Sequence, residues 1–489
     1  MKFRNIKYLV LSMSLTVVAT SCNSLLDIND DPEGLKPNQV AISGLLPANL
    51  QYTANSYWNV GQYGNYYTQY FAGNSGQEAN IDSYNPYGFD NIWESSYLKA
   101  MPNIKEMITR GEKEGAPHYA GIGRLLMALN LMQCTDIWGD VPYKEAFQGS
   151  ANLMPKYDTQ QEVYTVHLKA LLDQAIVDLL KPNPTAASQQ VGTTDLVYGG
   201  KTDKWLKAAY AARARYYIHL SKKDPANFAN ALADAEKAID NRTGADDLQL
   251  KNPGDRTIST SWYSYISLTA AASRAARPST YIVNLLNGDA AGVYPGLVDP
   301  RISKLVDKGN AASYVGRPVG SLGNQNNANL TTCDITASTY YGAQTAVTPF
   351  VTYSEIQFIK AEALFATDKT LAYAAYLEGI RSNMVKLGVE TSSIDAYVND
   401  PKISKGDANL TLSDIMLQKY IALFLQMESW TDMRRYQYDT NIYKGLQKPI
   451  KNLLGTEWVQ RGNYPDNEPG RNVNVPKVAN QAVKIWLFQ

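Results

Sequence analysis

Apolar positions recur along most of this chain at the i, i+3, i+4, i+7 spacing of a helix with one buried face. Ile122, Leu125, Leu126, Leu129 and Met132 form one such stripe, and Tyr164, Leu168, Leu171, Leu172, Ala175, Ile176 and Leu179 a second. Trp205, Ala209, Ala212, Tyr216 and Leu220 form a third, followed after Asp224-Pro225 by Phe228, Leu232, Ala235 and Ile239. The rhythm returns at Tyr373, Tyr376, Leu377, Ile380, Met384 and Leu387, and again at Met416, Tyr420, Leu423 and Met427. These stripes predict a mainly α protein.

Two regions read as helix–turn–helix units. Asp203–Asp240 carries a Trp-Leu start, small residues at packing positions and a Pro turn, the layout of a tetratricopeptide repeat. Ser354–Gly388 follows it more loosely. A lone repeat cannot cover its own apolar face, so the pairs are expected to stack into a tetratricopeptide-like scaffold. From about residue 242 to 350 the periodicity lapses into Gly, Asn, Ser, Thr and aromatic residues, which predicts a long, irregular, loop-rich section of the kind that usually carries function.

The N-terminus departs from both patterns. Lys2, Arg4 and Lys7 precede an apolar run from Tyr8 to Ala19, which is too short to span a bilayer, where about 20 residues are needed. Small residues follow and then Cys22, so residues 1–21 read as an export signal. The pattern resembles a bacterial lipobox, with Ala19 in place of the usual Leu. It makes Cys22 the expected lipidation site, with a plain signal or an uncleaved anchor as the alternatives. Residues 22–45 are polar and rich in Asp, Asn and Pro, a tether, which leaves 46–489 as one folded domain. Asp27, Asn29 and Asp31 imitate the start of a calcium loop, but Pro32 and Asn38 stand where Gly and Glu are required.

Charge and chemistry narrow the function. The 46 basic and 46 acidic residues cancel, so no basic footprint for nucleic acid exists. The three histidines are scattered, with no His-Glu-x-x-His run, and the sequence offers no metal ligand set. Cys134 and Cys333 form either one bridge or two buried thiols. Gly121–Leu126 begins like a nucleotide loop but lacks its third Gly, so no cofactor is expected. Asp136, Asp140 and Glu145 in "CTDIWGDVPYKEAF" could suggest paired-acid hydrolysis, but the Gly and Pro beside them favour a structural turn.

Five segments in order, "DIWGDVPYKEA", "DPRISKLV…YVGRPVGS", "SEIQFIKAEALF", "ESWTDMRRY" and "QRGNYPDNEPGRN", together with the lipobox and "DINDDPEG", resemble the SusD/RagB family of outer-membrane lipoproteins. The resemblance implies four tetratricopeptide-like helix pairs and no catalytic residues. It also implies a surface-exposed, lipid-anchored protein of the outer membrane, closing like a lid over a SusC-like TonB-dependent transporter. The implied ligand is a nutrient oligosaccharide, with a peptide as the RagB-like alternative. Outside the family, a glycoside hydrolase and a pure scaffold are the rivals. Glu428, Asp432, Arg434 and Arg435 of "ESWTDMRRY" are expected to be structural ion pairs.

Sugars stack C–H faces on aromatics and need amide, carboxylate or guanidinium partners for their hydroxyls. With 34 Tyr against 10 Phe, the chain is rich in rings that have a polar rim. Tyr63, Tyr67, Tyr70 and Phe71 fall on helical spacing and are expected in the core. The loop after them offers Asn74, Tyr84, Tyr87 and Trp93 as ligand contacts, and the irregular section offers Trp262, Tyr263, Tyr265, Tyr294, Tyr340 and Tyr341. No family motif assigns these residue by residue.

Overall fold

The computed structural model describes residues 40–254, 262–268, 274–321 and 332–489. The signal sequence, Cys22 and most of the tether lie outside the described residues. The main helices are α1 (Ile42–Gly64), α2 (Met101–Lys113), α3 (Pro117–Trp138), α4 (Lys169–Leu179), α5 (Thr202–Leu220) and α6 (Ala226–Ala235). They continue with α7 (Tyr353–Leu364), α8 (Lys369–Lys386), α9 (Thr391–Val398), α10 (Leu412–Ala422) and α11 (Glu428–Arg435).

Packing follows the expected ladder. α2 packs on α3, α3 on α4, α4 on α5, α5 on α6, α6 on α7 and α7 on α8, so each layer covers the apolar face of the one before. Both sequence-read pairs are present, as α5/α6 and α7/α8. Small residues permit the close approaches: a Cβ added at Gly379 of α8 would lie 2.9 Å from the Phe358 ring of α7. Caps hold the starts. Thr352 Oγ1 accepts the Glu355 N–H, and Thr411 and Asp414 form a reciprocal capping box.

Tyr63, Tyr67, Tyr70 and Phe71 are buried as expected, but not on one helix. α1 ends at Gly64, where the Met427 thioether leaves no room for a side chain: a Cβ there would lie 2.0 Å from Sδ. The chain then turns, and the remaining rings fill the core from β1 (Phe71–Gly73) and the turn before it. In the irregular section lie β2 (Leu248–Lys251), β3 (Ala276–Pro278) and β4 (Val347–Val351), with short helices at Trp262–Leu268 and Thr280–Leu286. β1 pairs antiparallel with β3, and β2 with β4. Cys134 and Cys333 are separate buried thiols. No described helix is long and apolar enough to cross a membrane.

The carboxylates of the Cys134–Phe147 turn are structural. Asp136 accepts the Tyr164 hydroxyl at 2.5 Å, Asp140 the Gln160 N–H at 2.8 Å, and Glu145 the Lys156 N–H at 3.1 Å. "ESWTDMRRY" ties the ladder together from within: Arg435 donates to Glu362 of α7 and to Asp432, and Arg434 to the Asp136 carbonyl.

Candidate ligand-binding site

The β1–β3 ribbon gathers residues far apart in sequence. Its register pairs Phe71 with Pro278, Ala72 with Arg277 and Gly73 with Ala276, and the Asn74 N–H extends it by donating to the Ala275 carbonyl at 2.6 Å. The helix Trp262–Leu268 is fastened to this ribbon through the Tyr265 hydroxyl oxygen, which accepts the Ala275 and Ala276 N–H groups at 3.2 and 3.3 Å. Trp262 sets its ring edgewise on Phe71, with centroids 4.9 Å apart, and on Tyr265, at 5.7 Å. Burial raises the Tyr265 pKa, so the phenol stays neutral and keeps its proton to donate.

Two arginines complete the surface. Arg274 and Arg277 each place Nη1 2.7 Å from the same Asp334 oxygen, and Arg274 also reaches the Ile266 carbonyl. The result is a platform of Asn74 and Tyr265 beside two guanidinium groups and a carboxylate, with Trp262 as its apolar base; Tyr263 is half-buried on the same short helix. Behind Trp262 lies a cavity of about 80 Å3, lined in part by Tyr57, Trp58, Tyr341, Phe350 and Gln426. Trp58 Nε1 and Gln426 Nε2 are buried in its wall without a hydrogen-bond partner. His219 also lines it and lies 2.7 Å from Glu428 and 3.4 Å from Asp136. Burial penalises the Glu428 charge, but His219 and Arg215 outweigh it and hold the carboxyl well below its usual range.

The other sequence candidates separate. Tyr84 is 1% exposed, wedged against Tyr67 and Trp458, and is a core residue with no face for a ligand. Tyr87 is half-buried against Tyr63 and Phe89. Trp93 lines a different groove of about 510 Å3, where Trp93, Tyr97 and Phe147 stack in series. Tyr294 is buried under a third cleft of about 770 Å3, bordered by Lys402, Lys444 and Lys448. Tyr341 is buried in the wall of the first cavity, with Tyr340 edge-on at 5.0 Å. The sequence did not single out Arg274, Arg277 or Asp334. Their signal was only arginine and aspartate near aromatics in an irregular stretch, and what selects them is the ribbon.

A family model described as starch-binding, associating with the outer membrane (SusD-like), matches residues 36–465. The chain belongs to the SusD-like family. Solved SusD-like structures share its fold. A SusD/RagB family protein from Bacteroides thetaiotaomicron is 24% identical at a TM-score of 0.72, covering 92% of this chain and 99% of that one. A chitin-binding SusD homolog from Flavobacterium johnsoniae is 21% identical at 0.72, covering 92% and 98%. A SusD homolog from Parabacteroides distasonis is 20% identical at 0.73, covering 92% and 97%. No curated protein matches the chain. At the level of the SusD-like family, the chain is an outer-membrane-associated, nutrient-glycan-binding protein and not an enzyme.

Proposed function

We propose that the chain captures an oligosaccharide on the Asn74–Trp262–Tyr265 platform and delivers it to a SusC-like TonB-dependent transporter, held at the outer membrane by lipid on Cys22. The observation that carries this reading is the convergence, on one ribbon, of the half-buried Tyr265 and the buried Trp262 beneath it with arginine and carboxylate groups. Aromatic faces suit the apolar side of a sugar ring, and fixed polar groups suit its hydroxyls. Similarity to a chitin-binding SusD homolog supports a glycan ligand, and the likeness to export lipoboxes supports the anchor.

Calorimetry against neutral and acidic oligosaccharides, with Trp262→Ala as the negative control, tests the ligand class. Saturable binding lost in the variant supports it. Silence across the glycan panel with binding of peptides would move the chain to the RagB-like alternative. Co-purification of a TonB-dependent transporter with the lipidated protein, lost on Cys22→Ser, tests the remainder.

A further inference from the structure

Asp158, Glu162 and His167 stand apart from the platform, and each offers a ligand atom within 4.8 Å of the other two. Their spacing matches no helical metal motif, because on a regular α-helix positions 162 and 167 would point about 140° apart. The chain is not a regular helix there. Val163–Leu168 forms a π-helical turn, whose i→i+5 ladder returns residue 167 to the side of residue 162. His167 Nε2 then lies 3.7 Å from Glu162 Oε1.

Three features of this cluster go beyond acidic residues meeting by chance. His167 Nε2 is buried and has no hydrogen-bond partner, an imidazole nitrogen turned toward two carboxylates. The imidazole is held by the Tyr143 ring, with centroids 5.0 Å apart. Asp158, only 8% exposed, receives the Tyr143 and Lys144 N–H groups at 2.8 Å, both on Oδ2, an outer hydrogen-bond set of the kind that orients a metal-binding carboxylate. Among the described residues no lysine or arginine forms an ion pair with Asp158 or Glu162.

We infer that Asp158, Glu162 and His167 form a binding site for a divalent transition-metal ion of the zinc type. One imidazole and two carboxylates suit such an ion, and three protein ligands leave a fourth position for water. Ligand atoms around a tetrahedral zinc lie about 3.4 Å apart, so small side-chain adjustments close the observed spacing. The bound ion would fasten the Val141–Asp158 bridge to the π-turn that leads into α4. The inference does not depend on the glycan reading.

The test is titration of the untagged full chain with ZnCl2 alone, in a non-chelating buffer, by calorimetry. One equivalent binding with micromolar or tighter affinity is expected, weakened at least tenfold in Glu162→Gln and at least a hundredfold in His167→Phe. Circular dichroism confirms that each variant is folded, and Co2+ supplies a second readout through tetrahedral visible absorption that His167→Phe removes. No saturable binding at 100 micromolar zinc, or binding unchanged in folded His167→Phe, would overturn the site.

Discussion

Arg215 of α5 grips Glu355 of α7 with a two-bond fork: Nε and Nη2 each lie 2.6 Å from a different carboxylate oxygen, and both side chains are buried. The same arginine donates to the Phe350 carbonyl and lies 3.5 Å from Glu428, so one guanidinium ties two helices to β4 and α11. Planar, permanently charged arginine suits such a position, and lysine could not reproduce the fork.

Removing the Glu355 charge breaks the fork and leaves the buried Arg215 with only the more distant Glu428, 3.5 Å away, to offset it. Glu355→Gln is expected to destabilise the protein by about 3–5 kcal/mol, read as a lower urea midpoint. The double variant Arg215→Met/Glu355→Leu should lose less than the sum of the single changes, because neither member of the fork is left without the other and Glu428 keeps His219 at 2.7 Å.

Asp82 supplies a pH dependence of opposite sense to an ordinary ion-paired carboxylate. Burial pushes its pKa up to about 8, against the Gly320 and Gly73 N–H groups and Arg317, which act to lower it. The folded state therefore holds a proton that the unfolded chain releases near pH 4, and stability falls as pH rises from about 4 to 8. Asp82→Asn should be more stable than the parent at pH 8, with the difference vanishing toward pH 4 in thermal melts across that range.

Glu362 acts in the usual sense. Burial disfavours its charge, but Arg435 and Lys419 prevail and hold it down to about 2. Its contribution is present above the unfolded carboxylate range and is lost as pH falls from about 4.5 toward 2. Glu362→Gln should flatten the acid limb of the stability profile measured by fluorescence.

Gly73 tests the link between ribbon and ligand. A Cβ there would lie 2.4 Å from the Glu78 backbone carbonyl, so one atom forces the ribbon and the following helix apart. Gly73→Ala should cost about 1–3 kcal/mol and weaken glycan binding by shifting Asn74. Melting curves and calorimetry on the same samples separate the two effects.

The periodic stripes of α3, α4, α5/α6 and α7/α8 determined the helical scaffold without tertiary information, because one-sided burial writes itself at a helical period. The aromatic character of the proposed ligand surface is visible in the sequence at Trp262, Tyr263 and Tyr265. Burial is not: Tyr84 and Tyr263 are the same residue type in similar irregular stretches, yet one is in the core and the other reaches solvent. The pairing of β1 with β3 decided which aromatic meets Arg274, Arg277 and Asp334, and a π-helical turn decided that Glu162 and His167 share a side. Local sequence carries period and composition. The meeting of residues some 190 or more positions apart is set by how the helix ladder and its loops close, which no short stretch of the chain encodes.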